Sequence, residues 1–205
     1  MFKIINIKSI YYKLALMQAY IIKIMENIYS INNFKFADKI IFKKRIEILS
    51  IIKRMIDLKM INSCLDIGTT NDFNKKSSNL IIKNLNEINI LKSISTQKID
   101  FSFFNIILTK SITDNFSNDE INKMSSDLVI SSATIEHVGN EKNQIKMINN
   151  IIKLSKKYLV ITTPNRLYPI DFHTKIPLIH WFPKNLHRFI LKIVGLKFFS
   201  KEENL

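Results

Sequence analysis

Short apolar runs alternate with amphipathic stretches in this chain, and that alternation restricts its fold more than any other feature. The runs Ile61–Gly68, Asp127–Ser131 and Tyr158–Thr163 are short and mostly apolar, as buried parallel strands are. A helical pattern over residues 140–156 separates the last two runs. Strands joined by helices form βαβ units with right-handed crossovers, so the pattern predicts an α/β fold with a doubly wound, mostly parallel sheet and helices on both faces.

Weaker patterns predict the rest of the chain. Apolar positions at helical spacing predict an amphipathic helix within residues 1–32, and Asn32, Asn33 and Asp38 predict a break after it. Further predicted elements are a helix over 39–59, a short helix over 77–85, and strands over 88–94 and 103–108. We therefore divide the chain into N-terminal helices over residues 1–59 and a sheet domain over residues 60–205.

The loops that follow the predicted strands meet at one edge of the sheet, where ligands bind in folds of this type. These loops are 68–71, 94–97, 131–136 and 164–166. From Pro164 onward, Pro169, Pro177 and Pro183 discourage a long helix, and aromatic and histidine residues are frequent. We interpret residues 164–205 as a lid or substrate segment.

The composition sets the candidate partners. The chain has 31 Lys and Arg against 17 Asp and Glu, a formal charge of +14, which can indicate a nucleic acid or an anionic membrane. The lysines are scattered rather than clustered, however, which favours a solvated surface. The single cysteine, Cys64, forms no internal disulfide, and the spacing of the histidines predicts no metal site. No apolar window is long enough to span a membrane, so a cytoplasmic location is the default expectation.

Three segments carry a family resemblance. Residues 64–70 (CLDIGTT), residues 126–131 (SDLVIS) followed by 135–138 (IEHV), and residues 158–165 (YLVITTPN) resemble, in order and spacing, three motifs of class I S-adenosylmethionine-dependent methyltransferases. The resemblance implies a Rossmann-like fold, methyl transfer and S-adenosylmethionine as cofactor. The residues that it implies for cofactor binding are Asp66, Gly68, Thr69, Thr70, Ser95, Ser131 and Ser132.

The same resemblance places the acceptor beside the fourth and fifth strands. His137 is the candidate general base, because a histidine titrates near neutral pH. The candidate acceptor-binding residues are Glu136, Asn165, Arg166, Tyr168, His173 and Trp181. Motifs of DNA methyltransferases and of RNA-binding proteins are missing, so we expect a small-molecule or a glycan- or lipid-precursor acceptor rather than a nucleic acid.

Three departures from the family pattern leave alternatives open. The loop after Gly68 has no second glycine, the second predicted strand ends at Ser95 to Gln97 without an acid for the ribose, and only 22 residues follow Pro183. These features fit a truncated or non-catalytic methyltransferase-like protein whose last strands are missing. The other alternative is a basic peripheral protein that contacts anionic membrane through residues 1–32 and 184–199, and this could coexist with methyl transfer to a lipid-linked acceptor.

Overall fold

A computed structural model describes residues 31–99, 102–165, 167–168, 171, 174, 176, 178–193 and 195–201. One compact unit comprises residues 39–165. The other contains residues 31–38 and the described residues from 167 to 201. The domain boundaries drawn from the sequence remain predictions.

The first unit contains a five-stranded sheet in which every strand pairing is parallel. Its strands are β1 (Ser63–Ile67), β2 (Ile90–Ser95), β3 (Ile106–Thr109), β4 (Ser126–Ser132) and β5 (Ser155–Thr162). Their order across the sheet is β3-β2-β1-β4-β5. The predicted α/β fold with a doubly wound parallel sheet is therefore confirmed.

Four helices accompany the strands: α1 (Ile31–Met55), α2 (Leu80–Lys83), α3 (Asn118–Met124) and α4 (Glu141–Leu154). Helices α1 and α2 pack on one side of the sheet, here called the front face, around Cys64, Leu128 and Ile130. Helices α3 and α4 pack on the opposite side, the back face, around Leu65, Ile67 and Val129. Side chains alternate between faces along each strand, so the mostly apolar sequences of β1 and β4 follow from burial on both sides.

Several element boundaries differ from the prediction. The break expected at Asn32 to Asp38 is wrong, because α1 runs through it from Ile31. The helix expected over 77–85 has only one turn, since Asn79 before it adopts a left-handed conformation with φ of 52°. Strand β5 was expected to be buried, but residues 156–159 are exposed, since within the described chain it pairs only with β4 and forms an edge of the sheet.

The second unit contains α5 (Lys184–Ile193) and a short turn over Ile179–Trp181. The ring of His180 lies 2.7 Å from the carbonyl oxygen of Tyr168. Leu191 of α5 is fully buried. No strand follows β5 in the described part of the chain.

Candidate functional site

The strand order defines where a ligand crevice lies. In doubly wound sheets the crevice opens outside the carboxyl ends of the strands, where successive crossovers leave in opposite directions. Here β2 and β3 lie on one side of β1 and β4 lies on the other, so that point falls between β1 and β4. The loops beginning at Gly68 and at Ala133 leave the sheet there.

Asp66 lies near the end of β1 on the front face and is the most unusual group at this edge. It is only 7% exposed, and burial raises its pKa to about 6, against the opposing effect of a hydrogen bond from Thr69. Thr69 Oγ1 donates to Asp66 Oδ2 at 2.6 Å and accepts from Ser93 Oγ at 2.8 Å. No cationic side chain of the described residues is within ion-pair distance of Asp66. A buried carboxylate held by one neutral donor would be stabilised by a cationic ligand.

Gly68 begins the loop after β1 with a φ of 85°, a conformation that favours glycine. A β-carbon at this position would lie 2.3 Å from Oγ1 and 2.7 Å from Cγ2 of Thr134. The Thr134 hydroxyl donates to the carbonyl of Ile67 at 3.0 Å, which holds it over the glycine. The glycine is therefore required by the close approach of the loop that follows β4.

Side-chain hydrogen bonds stabilise the loop after β1, which contains no glycine after Gly68. Asn79 Oδ1 accepts from Thr70 N at 3.0 Å, and Asn79 Nδ2 donates to Thr70 O at 2.9 Å. Thr69 bonds to Asp66 and Ser93, as described above. The structure thus places Asp66, Gly68, Thr69 and Thr70 together at the crevice, with both threonine hydroxyls engaged inside the protein.

The end of β2 carries hydroxyl and amide groups where the family has an acid. Ser95 Oγ donates to Thr69 O at 2.6 Å and accepts from Gln97 N at 3.0 Å. Gln97 Oε1 accepts from Asn71 N at 2.9 Å, and the residue is exposed. Gln97 is not among the residues predicted from the sequence to bind the cofactor, although it lies in one of the four predicted crevice loops.

The two serines at the end of β4 lie on different faces of the sheet. Ser132 faces the front, where its Oγ accepts from Thr162 Oγ1 at 3.0 Å. Ser131 pairs with Ile67, so the alternation of side chains places it on the back face, away from Asp66. It is fully buried, and its hydroxyl has no hydrogen-bond partner among the residues that the structure describes. Between β4 and Thr134, Ala133 adopts a φ of 56°, a strained conformation of the kind found at functional loops.

Glu136 and Arg45 carry opposite charges that influence each other without forming an ion pair. Burial raises the pKa of Glu136, while its hydrogen bonds and Arg45 act in the opposite direction. Glu136 Oε1 is buried and has no hydrogen-bond partner in the described part of the chain, whereas Oε2 accepts from Thr163 Oγ1 at 3.4 Å. Arg45 lies on α1, and its guanidinium donates to the carbonyl of Ser77. Nothing in the helical pattern of α1 distinguished Arg45 from its solvated basic neighbours.

The remaining predicted residues are more dispersed. His137 is exposed at the end of a short turn over Ile135–His137. Asn165 is exposed at the end of the first unit, whereas Tyr168 and the half-exposed Trp181 belong to the second. Arg166, His173 and residues 1–30 of the predicted membrane-contacting helix lie outside the described residues.

No group of three or more histidine, cysteine or acidic side chains is arranged to hold a metal ion in the described part of the chain. Within the same residues, no helix is both long and apolar enough to cross a membrane.

No protein-family model matches the sequence, and no curated protein matches it. Among solved structures, the chain is similar to the N-methyltransferase NodS from Bradyrhizobium japonicum WM9 in complex with S-adenosyl-L-homocysteine. That similarity has 14% identity and a TM-score of 0.38, and covers 56% of this chain and 57% of NodS. A second NodS structure gives 14% identity and a TM-score of 0.37, and covers 56% of this chain and 63% of that one. The chain thus spans less than two thirds of either NodS structure.

Proposed function

We propose that this protein binds S-adenosylmethionine at the carboxyl ends of β1, β2 and β4 and transfers its methyl group to a small-molecule or a glycan- or lipid-precursor acceptor. The observation that carries the proposal is Asp66, a buried carboxylate with no cationic partner among the described residues, beside the crevice of a doubly wound sheet. The cofactor, when bound, supplies an activated methyl group on a sulfonium. The protein therefore has to bind the cofactor, orient its methyl group toward the acceptor and exclude water.

Asp66 binds the ammonium group of the methionine part of the cofactor. The carboxylate already accepts from Thr69 Oγ1, which fixes its orientation, and burial strengthens its attraction for a cation. Gly68 allows the backbone to turn at this point, while Thr134 packs over it. The residues of this edge therefore fit the amino end of the cofactor.

The adenosine end lies toward β2, where hydroxyl and amide groups replace an acid. Gln97 is held by Asn71 through its side-chain oxygen, which leaves its amide nitrogen to donate to a ribose hydroxyl. Ser95 stabilises the same region through its hydrogen bonds to Thr69 O and Gln97 N. A neutral amide gives a weaker bond to the ribose than a carboxylate does, because charge-assisted hydrogen bonds are stronger.

The acceptor lies on the side of β4 and β5. The unpartnered oxygen of Glu136 can accept a hydrogen bond from an acceptor hydroxyl or amine, and Thr163 beside it holds the other oxygen. His137, one residue further on, is the proposed general base. Asn165, Arg166, Tyr168, His173 and Trp181 complete the proposed set of acceptor contacts.

The experiment that tests this function is a calorimetric titration of the protein with S-adenosylmethionine and with S-adenosylhomocysteine. We expect both to bind, and Asp66→Asn to weaken binding roughly ten- to a hundredfold, because it removes a charged acceptor of a charged donor. A folded wild-type protein that binds neither compound would contradict the proposal.

A matched control is available at the amino ends of the strands, at the other end of the sheet from the crevice. Asp127 Oδ2, at the start of β4, accepts from Asn62 N at 2.9 Å and Ser63 N at 3.3 Å. Asp127→Asn removes a carboxylate that, like Asp66, accepts hydrogen bonds within the fold, but that is remote from the crevice. It should lower stability without changing the affinity for S-adenosylhomocysteine, which separates loss of binding from loss of folding.

A further inference from the structure

Large apolar side chains are concentrated on the surface of the second unit, around the start of α5. Trp181, Phe182, Leu186 and Phe189 are 52%, 45%, 44% and 59% exposed, and all four fall within residues 181–189. Single exposed hydrophobic residues are common on protein surfaces, but a group of large ones this close together indicates a surface that binds an apolar partner.

Helix α5 has a buried side and two different exposed sides. His187 and Leu191, four residues apart, are buried within the protein. Leu186 and Phe189, three residues apart, lie together on an exposed apolar side. Basic residues recur at every fourth position and therefore form a row along the other exposed side: Lys184, Arg188 and Lys192. The exposed surface of the helix thus combines an apolar stripe with a basic row.

The backbone that carries these side chains is defined at both ends of the helix. The amides of Gly195 and Leu196 donate to carbonyl oxygens of the last helical turn, in the pattern of a Schellman motif. At the other end, the Trp181 ring lies edge-on to the buried ring of His180, with 6.2 Å between the ring centroids. The apolar stripe and the basic row are therefore presented on a preformed surface.

The charge of this part of the chain indicates the class of partner. Between Asp171 and Glu202 the sequence has no acidic residue and six basic ones: Lys175, Lys184, Arg188, Lys192, Lys197 and Lys201. A second copy of the chain would bring like charges together, which opposes self-association. A nucleic acid would attract the basic row but would not bury Leu186 and Phe189. An anionic lipid surface matches both features, because it offers phosphates beside an apolar phase.

We propose that α5 and the turn before it bind the surface of a membrane that contains anionic lipids. Leu186 and Phe189 enter the boundary of the acyl chains, the basic row contacts the headgroups, and Trp181 lies at the level that tryptophan favours. The ten residues of α5 extend about 15 Å, against about 30 Å for the hydrocarbon core, so the helix lies on the membrane and does not cross it. Membrane binding needs no cofactor, so this proposal is independent of the proposed function.

The fluorescence of Trp181 tests the proposal at the right place, because it is the only tryptophan of the chain. Titration of the whole chain with vesicles of phosphatidylcholine and phosphatidylglycerol should shift its emission to the blue, since the ring leaves water. Vesicles of phosphatidylcholine alone should bind much more weakly, and added salt should weaken binding to the anionic vesicles.

Two double variants of α5 separate the two sides of the surface. Lys184→Gln with Lys192→Gln should weaken binding to anionic vesicles roughly ten- to thirtyfold, because each basic residue near an anionic surface contributes to attraction. Leu186→Gln with Phe189→Gln should weaken it roughly tenfold or more, because the apolar area buried in the membrane is lost.

Matched controls lie on α4 of the first unit. Ile145 and Ile152 are 54% and 56% exposed, and Lys142 and Lys146 are exposed and four residues apart. Replacing either pair by Gln should leave the affinity for vesicles unchanged.

Four outcomes would overturn the proposal. Equal affinity for neutral and anionic vesicles would remove the role of the basic row. Co-sedimentation with vesicles without a change in Trp181 emission would place the contact elsewhere in the chain. Control variants as weak as the α5 variants would assign binding to the overall charge. A Trp181 shift with single-stranded RNA, but not with anionic vesicles, would favour a nucleic acid as the partner.

Discussion

Thr134 lies directly over the α-carbon of Gly68, so that a β-carbon on the glycine would come within 2.3 Å of the threonine oxygen. The two residues belong to different loops, one after β1 and the other after β4. Their contact closes the base of the crevice between these strands. It explains why a glycine is required here in a loop that otherwise contains none.

Gly68→Ala should therefore destabilise the protein by about 2–5 kcal/mol, combining a left-handed backbone with an overpacked contact. Gly139→Ala is the matched control, because Gly139 has a similar φ of 93° but only an ordinary contact at 3.6 Å. It should cost about 1–2 kcal/mol, the backbone contribution alone. Denaturant unfolding of both variants checks this, and equal costs would show that Thr134 does not restrict position 68.

Combining Gly68→Ala with Thr134→Ala should relieve the clash. The double variant should be less destabilised than the sum of the single variants by about 1–2 kcal/mol, because residues in contact are coupled. A double-mutant cycle in denaturant measures this coupling. Strict additivity would place the cost of Gly68→Ala in the backbone rather than in the contact.

Asp66 should make stability depend on pH in a definite direction. Its folded pKa of about 6 is above the ordinary value of 3.8 for an aspartic acid, so the folded state binds the proton more tightly than the unfolded state. The stability that protonated Asp66 contributes is thus lost as pH rises from about 4 through 6. Above that range the buried carboxylate lowers the free energy of unfolding by about 3 kcal/mol. Asp66→Asn should remove this cost, so its stability relative to wild type should rise between pH 4 and pH 7.5. A difference that stays constant over this range would contradict the assignment.

Binding of S-adenosylhomocysteine should follow the same titration. The ammonium group requires an ionised Asp66, so affinity should be constant above pH 7 and fall below pH 6, with proton release near pH 6. Titrations in two buffers of different ionisation enthalpy measure the released proton. Asp66→Asn should abolish both the pH dependence and the release, and a variant that retained them would locate the titrating group elsewhere.

The hydroxyl of Thr69 should matter more than its methyl group. Thr69→Val keeps the shape but leaves Asp66 and the fully buried Ser93 without their shared partner, at a cost of about 1–3 kcal/mol. Thr69→Ser retains the hydroxyl and should be close to wild type. Thermal unfolding compares them, and a serine variant as unstable as the valine variant would show that packing, not hydrogen bonding, is what counts.

The parts of the fold that were predictable are those where burial dictates the residues. Strands β1 and β4 are buried on both faces, so their mostly apolar runs were visible in the sequence. Helix α4 showed its apolar side and was predicted within two residues of its ends. Helix α3 was missed, although Ser117 and Glu120 form a capping box that the sequence displays at the usual spacing.

The site was predictable only where a motif follows a strand. Asp66 and Gly68 were found because they end an apolar run. Arg45 was not, because its position depends on a hydrogen bond to Ser77 and on the charge of Glu136, both far away in sequence, and its helix carries many other basic residues. Gln97 and Thr134 likewise act through neighbours that only the folded sheet brings close.

The most direct measurement is an experimental structure of the protein with S-adenosylhomocysteine bound. The account predicts the ligand outside the carboxyl ends of β1, β2 and β4, with its ammonium nitrogen within hydrogen-bond distance of the Asp66 carboxylate. A ligand bound elsewhere, or one at this edge whose ammonium group points away from Asp66, would contradict it.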